Sequence, residues 1–300
     1  MIPAHEGREA LLECLGSIYA SRGVEARVLV IDDASADGTA EAVGRRFPQC
    51  RVLINPENLG FARTCNRGFR ELLAEGAPVV LLLNQDTRLA PDAAATLLGF
   101  LESHPSAEVV GPKTYSTRRA PDGRERLLYA GSWRGRLPLK QKIPGIEQVE
   151  HQPAASPLRV DYVWGHGMLL RASVLERTGG FDTNYPMYFE DLDLCRRVQQ
   201  AGGELWCEPA AVMWHDLADG ARAQGSEYWR WACKVRGMAT FHAKHYGRTR
   251  AAWMTPVTLA WDAYQLLRAG NARAAWHVTR AGLRHAAGLT DPLHPREVLR

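Results

Sequence analysis

The hydrophobic residues of the first 112 positions follow two alternating patterns. Between Glu9 and Tyr19 they recur at helical spacing, whereas Arg27–Ile31 is a short run of mostly β-branched residues. The same alternation predicts helices at Asp37–Arg46, Phe61–Leu73 and Pro91–Ser103, and strands at Arg51–Ile54, Val79–Leu83 and Val109–Val110. Apolar strands that alternate with helices indicate an α/β domain whose mainly parallel central sheet is flanked by helices.

Polar residues follow three of these predicted strands. Asp32 and Asp33 end the first run, Asn58 follows the second, and Asp86 follows Val79–Leu83. In open α/β sheets, ligands bind outside the carboxyl ends of the strands. We therefore expect these side chains to converge on one crevice.

The pattern changes after residue 116. Thr117–Leu158 is rich in proline, glycine and charge, so we expect a long functional excursion with a hairpin near Leu127–Trp133. Regular structure is predicted to resume with strands at Val160–Val163, Met168–Leu170, Glu204–Cys207 and Val212–Trp214, a helix at Asp191–Gln200, and helices from 226 onwards.

The start of the chain is unusual for such a sheet. Only Met1 and Ile2 precede Pro3, which is short for a central strand, so we expect the natural strand to begin upstream. Met1–Glu6 turns polar at once and lacks the apolar core of a signal peptide. The most apolar internal stretch, Val79–Leu83, is far too short to cross a bilayer.

The composition is that of an ordinary globular protein, with 300 residues of which 46% are hydrophobic and 23% charged. Its six cysteines are widely scattered and form no CxxC pair, which argues against a zinc cluster or a disulfide framework. We expect buried, reduced thiols and a cytoplasmic protein.

Charge is unevenly distributed along the chain. Residues 221–300 hold 13 Lys and Arg against 4 Asp and Glu, a net +9, whereas the whole chain carries only +4. The same stretch contains five of the nine tryptophans. Two interpretations remain open: a basic, aromatic surface that contacts the inner face of an anionic membrane, or a solvated basic face over a tryptophan-containing core.

Asp86 is the candidate metal ligand of the first half. It ends the segment Asn84-Gln85-Asp86 directly after a buried strand, where a carboxylate oxygen can bind Mg²⁺ or Mn²⁺. Asp32 and Asp33 can accept hydrogen bonds from a nucleobase or ribose. Each of these acids is, by itself, equally compatible with an ordinary turn at a strand end.

The segment from Asn58 to Arg63 is a candidate phosphate-binding loop. Gly60 permits close approach of the backbone just before a predicted helix, whose amino end attracts anions. Arg63, in the first turn, could reach a phosphate. A structural Asn-x-Gly turn is the alternative, and this stretch alone favours it.

The most specific segment is Met187–Leu194, where three acids follow an aromatic cluster. Asp191 lies near the start of the predicted helix, and neighbouring rings can tune a carboxylate for proton transfer. Glu190 precedes it. Further along, His215 directly follows an apolar strand and could bind metal, although a lone histidine is more often structural.

Together these segments resemble the family-two inverting glycosyltransferases, particularly the bacterial branch with rhamnosyltransferases of cell-surface polysaccharides. They occur in the family's order over about residues 1–240. The segments that carry the resemblance are Ile2-Pro3, Val30–Thr39, Asn58–Ala62, Leu83–Thr87, Gly179–Asp182, Met187–Leu194 and His215.

The resemblance implies a single GT-A-type nucleotide-sugar-binding domain over 1–225, with a nucleotide half at about 1–112, an acceptor half at 113–225 and a helical basic extension at 226–300. It implies that Asp191 is the catalytic base, next to Glu190, and that Asp86 and His215 bind a divalent cation, Mn²⁺ or Mg²⁺. The implied nucleotide-binding residues are Pro3, His5, Glu6, Asp32 (or alternatively Asp33), Asn58, Gly60, Arg63 and Gln85.

The sequence departs from the family pattern at its start and at the metal motif. Pro3-Ala4-His5-Glu6 replaces Pro-Thr-Tyr-Asn, which places an acid, Glu6, beside the expected diphosphate. Asn84 replaces the first acid of the metal-binding pair, as this branch often does.

The expected reaction transfers a sugar from a dTDP- or UDP-sugar to a saccharide or lipid-linked acceptor, with no nucleic-acid partner. The protein would act in the cytoplasm or peripherally on the inner membrane face. Two alternatives remain: a sugar nucleotidyltransferase, for which His5–Glu9 is a poor phosphate loop, and a non-catalytic nucleotide-sugar-binding scaffold.

Overall fold

A computed structural model describes residues 1–120, 122–134, 141–142, 148–149, 156–185, 187–216, 227–268 and 270–287. The predicted α/β class with a helical C-terminal part is confirmed. Much of the expected excursion at Thr117–Leu158 and the expected domain boundary at 225–226 lie outside the described residues.

The first half follows the predicted alternation closely. Its elements are β1 (Ile2–Ala4), α1 (Arg8–Tyr19), β2 (Leu29–Asp32), α2 (Thr39–Arg46), β3 (Arg51–Ile54), α3 (Phe61–Ala74), β4 (Val79–Leu83), β5 (Thr87–Leu89) and α4 (Ala93–Ser103). Strands β1, β2 and β3 are parallel and lie in the order β1-β2-β3. Met1 joins this sheet to β4, because its amino group donates to the Leu81 carbonyl at 2.8 Å and its carbonyl accepts from Leu83 at 3.1 Å.

The second half builds a mixed sheet. Its elements are β6 (Ala107–Ser116), β7 (Arg126–Tyr129), β8 (Trp133–Arg134), β9 (Gln141–Lys142), β10 (Gln148–Val149), β11 (Leu158–Val160), β12 (Gly167–Arg171), α5 (Ala172–Thr178), α6 (Glu190–Gln200) and β13 (Glu204–His215). Strand β12 lies between β4 and β6 and is antiparallel to both. Strand β13 is parallel to β6 and antiparallel to β5 and β11.

Four sequence-based expectations need correction. The strand predicted at Val160–Val163 is β11, which lies earlier, at Leu158–Val160. The sheet is mixed rather than mainly parallel, because an apolar run looks the same in either strand direction. The two strands predicted at Glu204–Cys207 and Val212–Trp214 form the single strand β13, whose pairing shifts register between Glu208 and Val212. Helix α4 begins at Ala93, after Pro91.

Two hydrophobic clusters cover the two faces of the sheet. Ile31 belongs to one cluster and its neighbour Val30 to the other, as expected for successive residues of a strand buried on both sides. The six cysteines are free and buried, as predicted. This packing fixes the strand ends that carry the candidate site.

Three helices follow: α7 (Glu227–Tyr246), α8 (Arg248–Arg268) and α9 (Ala272–Ala286). Helix α7 is tied to α6 through the fully buried Asp193, whose carboxylate accepts from Arg197 and His245 at 2.8 Å each and pairs with Lys244 at 2.8 Å. Burial alone would raise the pKa of Asp193, but these partners hold that pKa well below its usual range. Within the described segments, every helix is too short or too polar for a transmembrane span.

Candidate active site

The loop after β1 is tied to the end of β4 by paired hydrogen bonds. The backbone N–H of His5 donates to Oε1 of Gln85 at 2.9 Å, and Nε2 of Gln85 donates back to the His5 carbonyl at 3.0 Å. Gly7 permits this approach, since a Cβ there would lie 2.1 Å from Nε2 of Gln85. Gln85 therefore brings the segment of Asp86 next to the first loop.

Asp33 organises the loop before α3. Its Oδ1 accepts from Asn55 Nδ2 at 2.7 Å and from the Leu59 N–H at 2.8 Å, and its Oδ2 accepts from the Gly60 N–H at 2.9 Å. Gly60 has a φ of 81°, which only glycine adopts without strain. Asp33 thus holds the predicted phosphate-binding loop in place.

His5 connects this loop to the rest of the site. Its Nδ1 lies 2.9 Å from the Asp33 carbonyl and its Nε2 lies 3.1 Å from Nδ2 of Asn58. Asp32 is buried beside it, and its Oδ1 accepts from the Ser35 N–H at 3.0 Å. His5, Asp32, Asp33, Asn58 and Gly60 therefore lie together, as the strand-end argument predicts.

The remaining first-half candidates are distributed differently. Pro3 is buried in β1, opposite Ile31. The Glu6 carboxylate accepts from the Ala36 N–H at 2.8 Å, so this unusual acid binds the loop after β2. Arg63 is exposed in the first turn of α3.

The predicted metal ligands face each other at the other end of the site. Nε2 of His215 lies 3.1 Å from Oδ1 of Asp86, and both residues are buried. The ring of His166 stacks on His215 with centroids 4.6 Å apart, and Nε2 of His166 lies 3.1 Å from Oγ1 of Thr114. Burial and the neighbouring His215 hold the pKa of His166 well below its usual range, so His166 is neutral.

The pair of Asp86 and His215 fits part of a cation site. Among the residues that the structure describes, no third His, Cys, Asp or Glu completes a cluster with them. The Nδ1 atom of His215 is buried and has no hydrogen-bond partner among the residues that the structure describes. One carboxylate and one imidazole suit Mn²⁺ or Mg²⁺, which take their other ligands from phosphate oxygens and water.

Asp191 lies at the start of α6 and is held by backbone donors. Its Oδ2 accepts from the Gly165 N–H at 2.9 Å and its Oδ1 from the Leu192 N–H at 2.8 Å. Burial raises the pKa of Asp191, although hydrogen bonds from Tyr162 and these backbone groups oppose the rise. A carboxylate with a raised pKa is suited to accept a proton.

Glu190 adjoins Asp191 but is more deeply enclosed. Within the described part of the chain, its Oε2 is buried without a hydrogen-bond partner, and burial together with the Asp191 charge raises the pKa of Glu190 well above the usual range. Two adjacent acids in one apolar environment do not ionise equally. The hydrogen bonds around Asp191 favour its ionised form over that of Glu190, whose pKa is raised further.

These contacts link the predicted acids into one continuous site. Asp191 contacts Gly165, the neighbouring His166 stacks on His215, His215 pairs with Asp86, and Gln85 contacts His5. Sequence reasoning missed three members: Asn55, Gly165 and His166. The Gly165-His166-Gly167 triplet before an apolar strand was the available signal for two of them.

Replacing Glu190 by glutamine is expected to raise the melting temperature at about pH 8 and to leave it unchanged at about pH 4. The pKa of Glu190 is raised in the folded state. The contribution of this raised pKa to folding stability is therefore full below the unfolded-state pKa of Glu190, and it is lost as pH rises through the folded-state pKa. Each increase of about 1 kcal/mol in the free energy of unfolding raises the melting temperature by about 2–4 °C in a domain of this size.

Thermal melts of the wild type and of Glu190→Gln across this pH range provide the measurement. The exposed Glu176→Gln variant is the control and should show no gap that depends on pH. If the difference in melting temperature between Glu190→Gln and wild type is the same at about pH 8 as at about pH 4, the raised pKa of Glu190 is contradicted.

Comparison with known proteins places this site in a class. The model of glycosyl transferase family 2 matches residues 1–178, and the chain belongs to this family. An N-acetylglucosaminyl-diphospho-decaprenol L-rhamnosyltransferase of Mycobacterium tuberculosis is 31% identical over 64% of the chain and 66% of its own length. Rhamnosyltransferase WbbL of Escherichia coli is 31% identical over 52% of the chain and 58% of its own length. The chain thus spans 66% and 58% of the length of these two relatives.

A solved structure supports the fold assignment. Mannosyltransferase PcManGT from Pyrobaculum calidifontis, in complex with GDP-Man and Mn²⁺, matches with a TM-score of 0.56 and 18% identity, over 95% of this chain and 85% of that one. The predicted GT-A-type architecture is therefore confirmed.

Proposed function

We propose that this chain transfers a sugar, such as rhamnose, from a dTDP- or UDP-sugar to a hydroxyl of a saccharide or lipid-linked acceptor, with inversion at the anomeric carbon. The observation that supports this proposal most strongly is the continuous line of contacts from Asp33 through Asp86 to Asp191. The names of the two relatives support rhamnose as the sugar, and the name of the Mycobacterium tuberculosis relative supports a lipid-linked acceptor.

In the proposed reaction, Asp191 takes the proton of the acceptor hydroxyl as its oxygen attacks the anomeric carbon. The bond from that carbon to the diphosphate oxygen breaks, and a nucleoside diphosphate leaves. A single displacement inverts the centre, whereas a double displacement needs a second placed carboxylate as nucleophile. Glu190, the nearest acid to Asp191 in sequence, has an enclosed carboxyl with a raised pKa, which suits it poorly for that role.

The donor would lie along the loops of His5, Asp32 and Asn58, with its diphosphate near Gly60 and Asp86. Asp86 and His215 would hold a divalent cation, which offsets the negative charge on the leaving diphosphate. Asp33 positions the Asn58–Gly60 loop by hydrogen bonds, so we assign the contact with base or ribose to Asp32 rather than to Asp33.

Product analysis tests the proposal directly. A thermal-shift screen of nucleotide sugars with Mn²⁺ or Mg²⁺ identifies the donor, and incubation with candidate acceptors should then release free nucleoside diphosphate. Release of pyrophosphate would indicate nucleotidyl transfer instead. Donor binding without turnover on any saccharide or lipid-linked acceptor would favour a binding scaffold.

The C-terminal helices supply a surface for peripheral membrane contact. Trp253, Val257, Trp261 and Tyr264 are 44–51% exposed and recur on one face of α8. Trp276 on α9 is also exposed, as a membrane-contacting surface requires, whereas Trp229 is buried in the core. Each of the two interpretations of the sequence therefore applies to some of the tryptophans. Exposed aromatic rings in a basic segment suit an anionic bilayer surface.

We expect the protein to co-sediment with phosphatidylglycerol vesicles at low salt and to be released at high salt, since surface charge is screened. Phosphatidylcholine vesicles serve as the neutral control. Trp261→Ala should reduce binding because it removes an exposed ring. Absence of binding to the anionic vesicles at low salt would end this proposal.

A further inference from the structure

A cavity of about 400 Å³ lies between the three C-terminal helices and the loop before Asp191. Helices α7, α8 and α9 contribute mostly apolar walls, among them Val235, Leu259 and Val278. Phe189, which directly precedes Glu190, completes the wall on the side of the candidate active site. The size and apolar character of the cavity are typical of ligand pockets.

The loop at this wall is held in a strained conformation by α7. Tyr188 and Phe189 both have positive φ angles, 67° and 72°. A Cβ on Gly237 of α7 would lie 2.9 Å from Cδ2 of Phe189 and 3.0 Å from the Tyr188 carbonyl, so only glycine lets the helix approach this closely. Strain of this kind clusters where a loop positions reacting groups. The helical extension is thereby part of the surroundings of Asp191.

One lysine gives the apolar cavity a positive charge. Nζ of Lys234 lies 4.9 Å from the ring centroid of Tyr188 and 4.7 Å from that of Trp231. Among the residues that the structure describes, no carboxylate forms an ion pair with Lys234. Burial and the charge of Arg230 lower the pKa of Lys234, and the Asp262 carboxylate, which also lines the cavity, opposes that shift. A cation between rings is available to an anionic group at the mouth of the cavity.

We propose that this cavity binds the hydrocarbon chain of a lipid-linked acceptor and that Lys234 binds the phosphate that joins the chain to the sugar. Lys234 lines the cavity, and its Nζ lies over the ring of Tyr188, three residues before Asp191 in the sequence. A phosphate bound there would have the cavity on its hydrocarbon side and the segment of Asp191 on its sugar side. This inference rests on the proposed glycosyl transfer and specifies which acceptor class the site takes.

Titration of the full chain with farnesyl diphosphate tests the inference, with nucleoside diphosphate and Mn²⁺ present to fill the donor site. Farnesol and inorganic diphosphate are titrated separately, since they carry the tail or the charge alone. We expect farnesyl diphosphate to bind more tightly than either. Lys234→Met keeps the aliphatic stem and should weaken farnesyl diphosphate binding by about tenfold, while leaving farnesol unaffected.

Two further variants complete the test. Gln265→Trp fills the mouth of the cavity from an exposed position and should weaken both farnesyl diphosphate and farnesol. Arg250→Gln removes an exposed cation of α8 outside the cavity lining and should change neither. A thermal melt of each variant checks that the fold is retained.

Farnesyl diphosphate binding no tighter than inorganic diphosphate would overturn the proposal, as would equal losses in Lys234→Met and Arg250→Gln. Binding of nucleoside diphosphate with Mn²⁺ is measured in the same samples. If the donor side fails while farnesyl diphosphate still binds in the manner expected, the proposed transfer reaction is wrong and the cavity assignment stands.

Discussion

Replacing Asp191 by asparagine is expected to lower the rate of sugar transfer by about 10²–10⁴-fold, the usual contribution of a general base. Asparagine keeps the size of the side chain, and its carbonyl oxygen can still accept from Gly165 or Leu192. It cannot take a proton from the acceptor hydroxyl. Because the donor would bind around His5 and Asp86, its affinity should stay nearly unchanged.

The measurement combines single-turnover transfer rates with calorimetry of donor binding. Asp193→Asn is the matched control, since Asp193 lies in the same turn of α6 but binds His245 and Lys244. That variant should lose thermal stability, because the pKa of Asp193 is held low and its stabilising charge is present at neutral pH. Near-normal turnover of Asp191→Asn would remove Asp191 from the mechanism.

Replacing Asp86 by alanine is expected to weaken donor binding in the presence of Mn²⁺ by about 100-fold or more, given that even outer-shell partners of a metal contribute about 10–100-fold. The substitution removes the carboxylate that faces His215 at 3.1 Å. Without metal, donor affinity should differ little between the variant and the wild type, because the cation is the link between Asp86 and the diphosphate.

Calorimetry with and without Mn²⁺ separates the donor affinity that depends on the metal from the affinity that does not. Asp92→Ala, which removes the exposed acid just before α4, is the control and should keep the gain in donor affinity that Mn²⁺ provides. Equal donor affinities for Asp86→Ala and wild type in Mn²⁺ would contradict the metal role of Asp86. Loss of affinity in both conditions would instead indicate a local change of fold around the loop.

At the strand ends, the hydrophobic pattern predicted the positions of residues but not their hydrogen-bond partners. The apolar run Val79–Leu83 predicted β4 with the bounds that the structure has, and Asp86 after it lies at the expected edge of the sheet. The sequence suggested that Asp33 could accept hydrogen bonds from a nucleobase or ribose, but it did not reveal the contacts of Asp33 with Asn55 and Gly60. Hydrogen-bond partners distant in sequence have no periodic signature, so the pattern could not reveal them.

The cation site and the catalytic helix show the same division. The sequence suggested Asp86 and His215, but the stacking of His166 depends on the antiparallel placement of β12 beside β4. The family resemblance singled out Asp191 among the three acids of α6, but the sequence did not show the partners of these acids. In the structure Asp193 binds Lys244 and His245 of α7, whereas Asp191 faces Gly165.

The sequence by itself determined the order of helices and strands and the positions of the acids at strand ends, because periodicity and turn chemistry act over a few neighbouring residues. Tertiary structure decided strand direction, the partners of each acid and the cavity beside Phe189. Those features arise from contacts between segments far apart in the chain, and burial at such contacts sets which carboxyl keeps its charge.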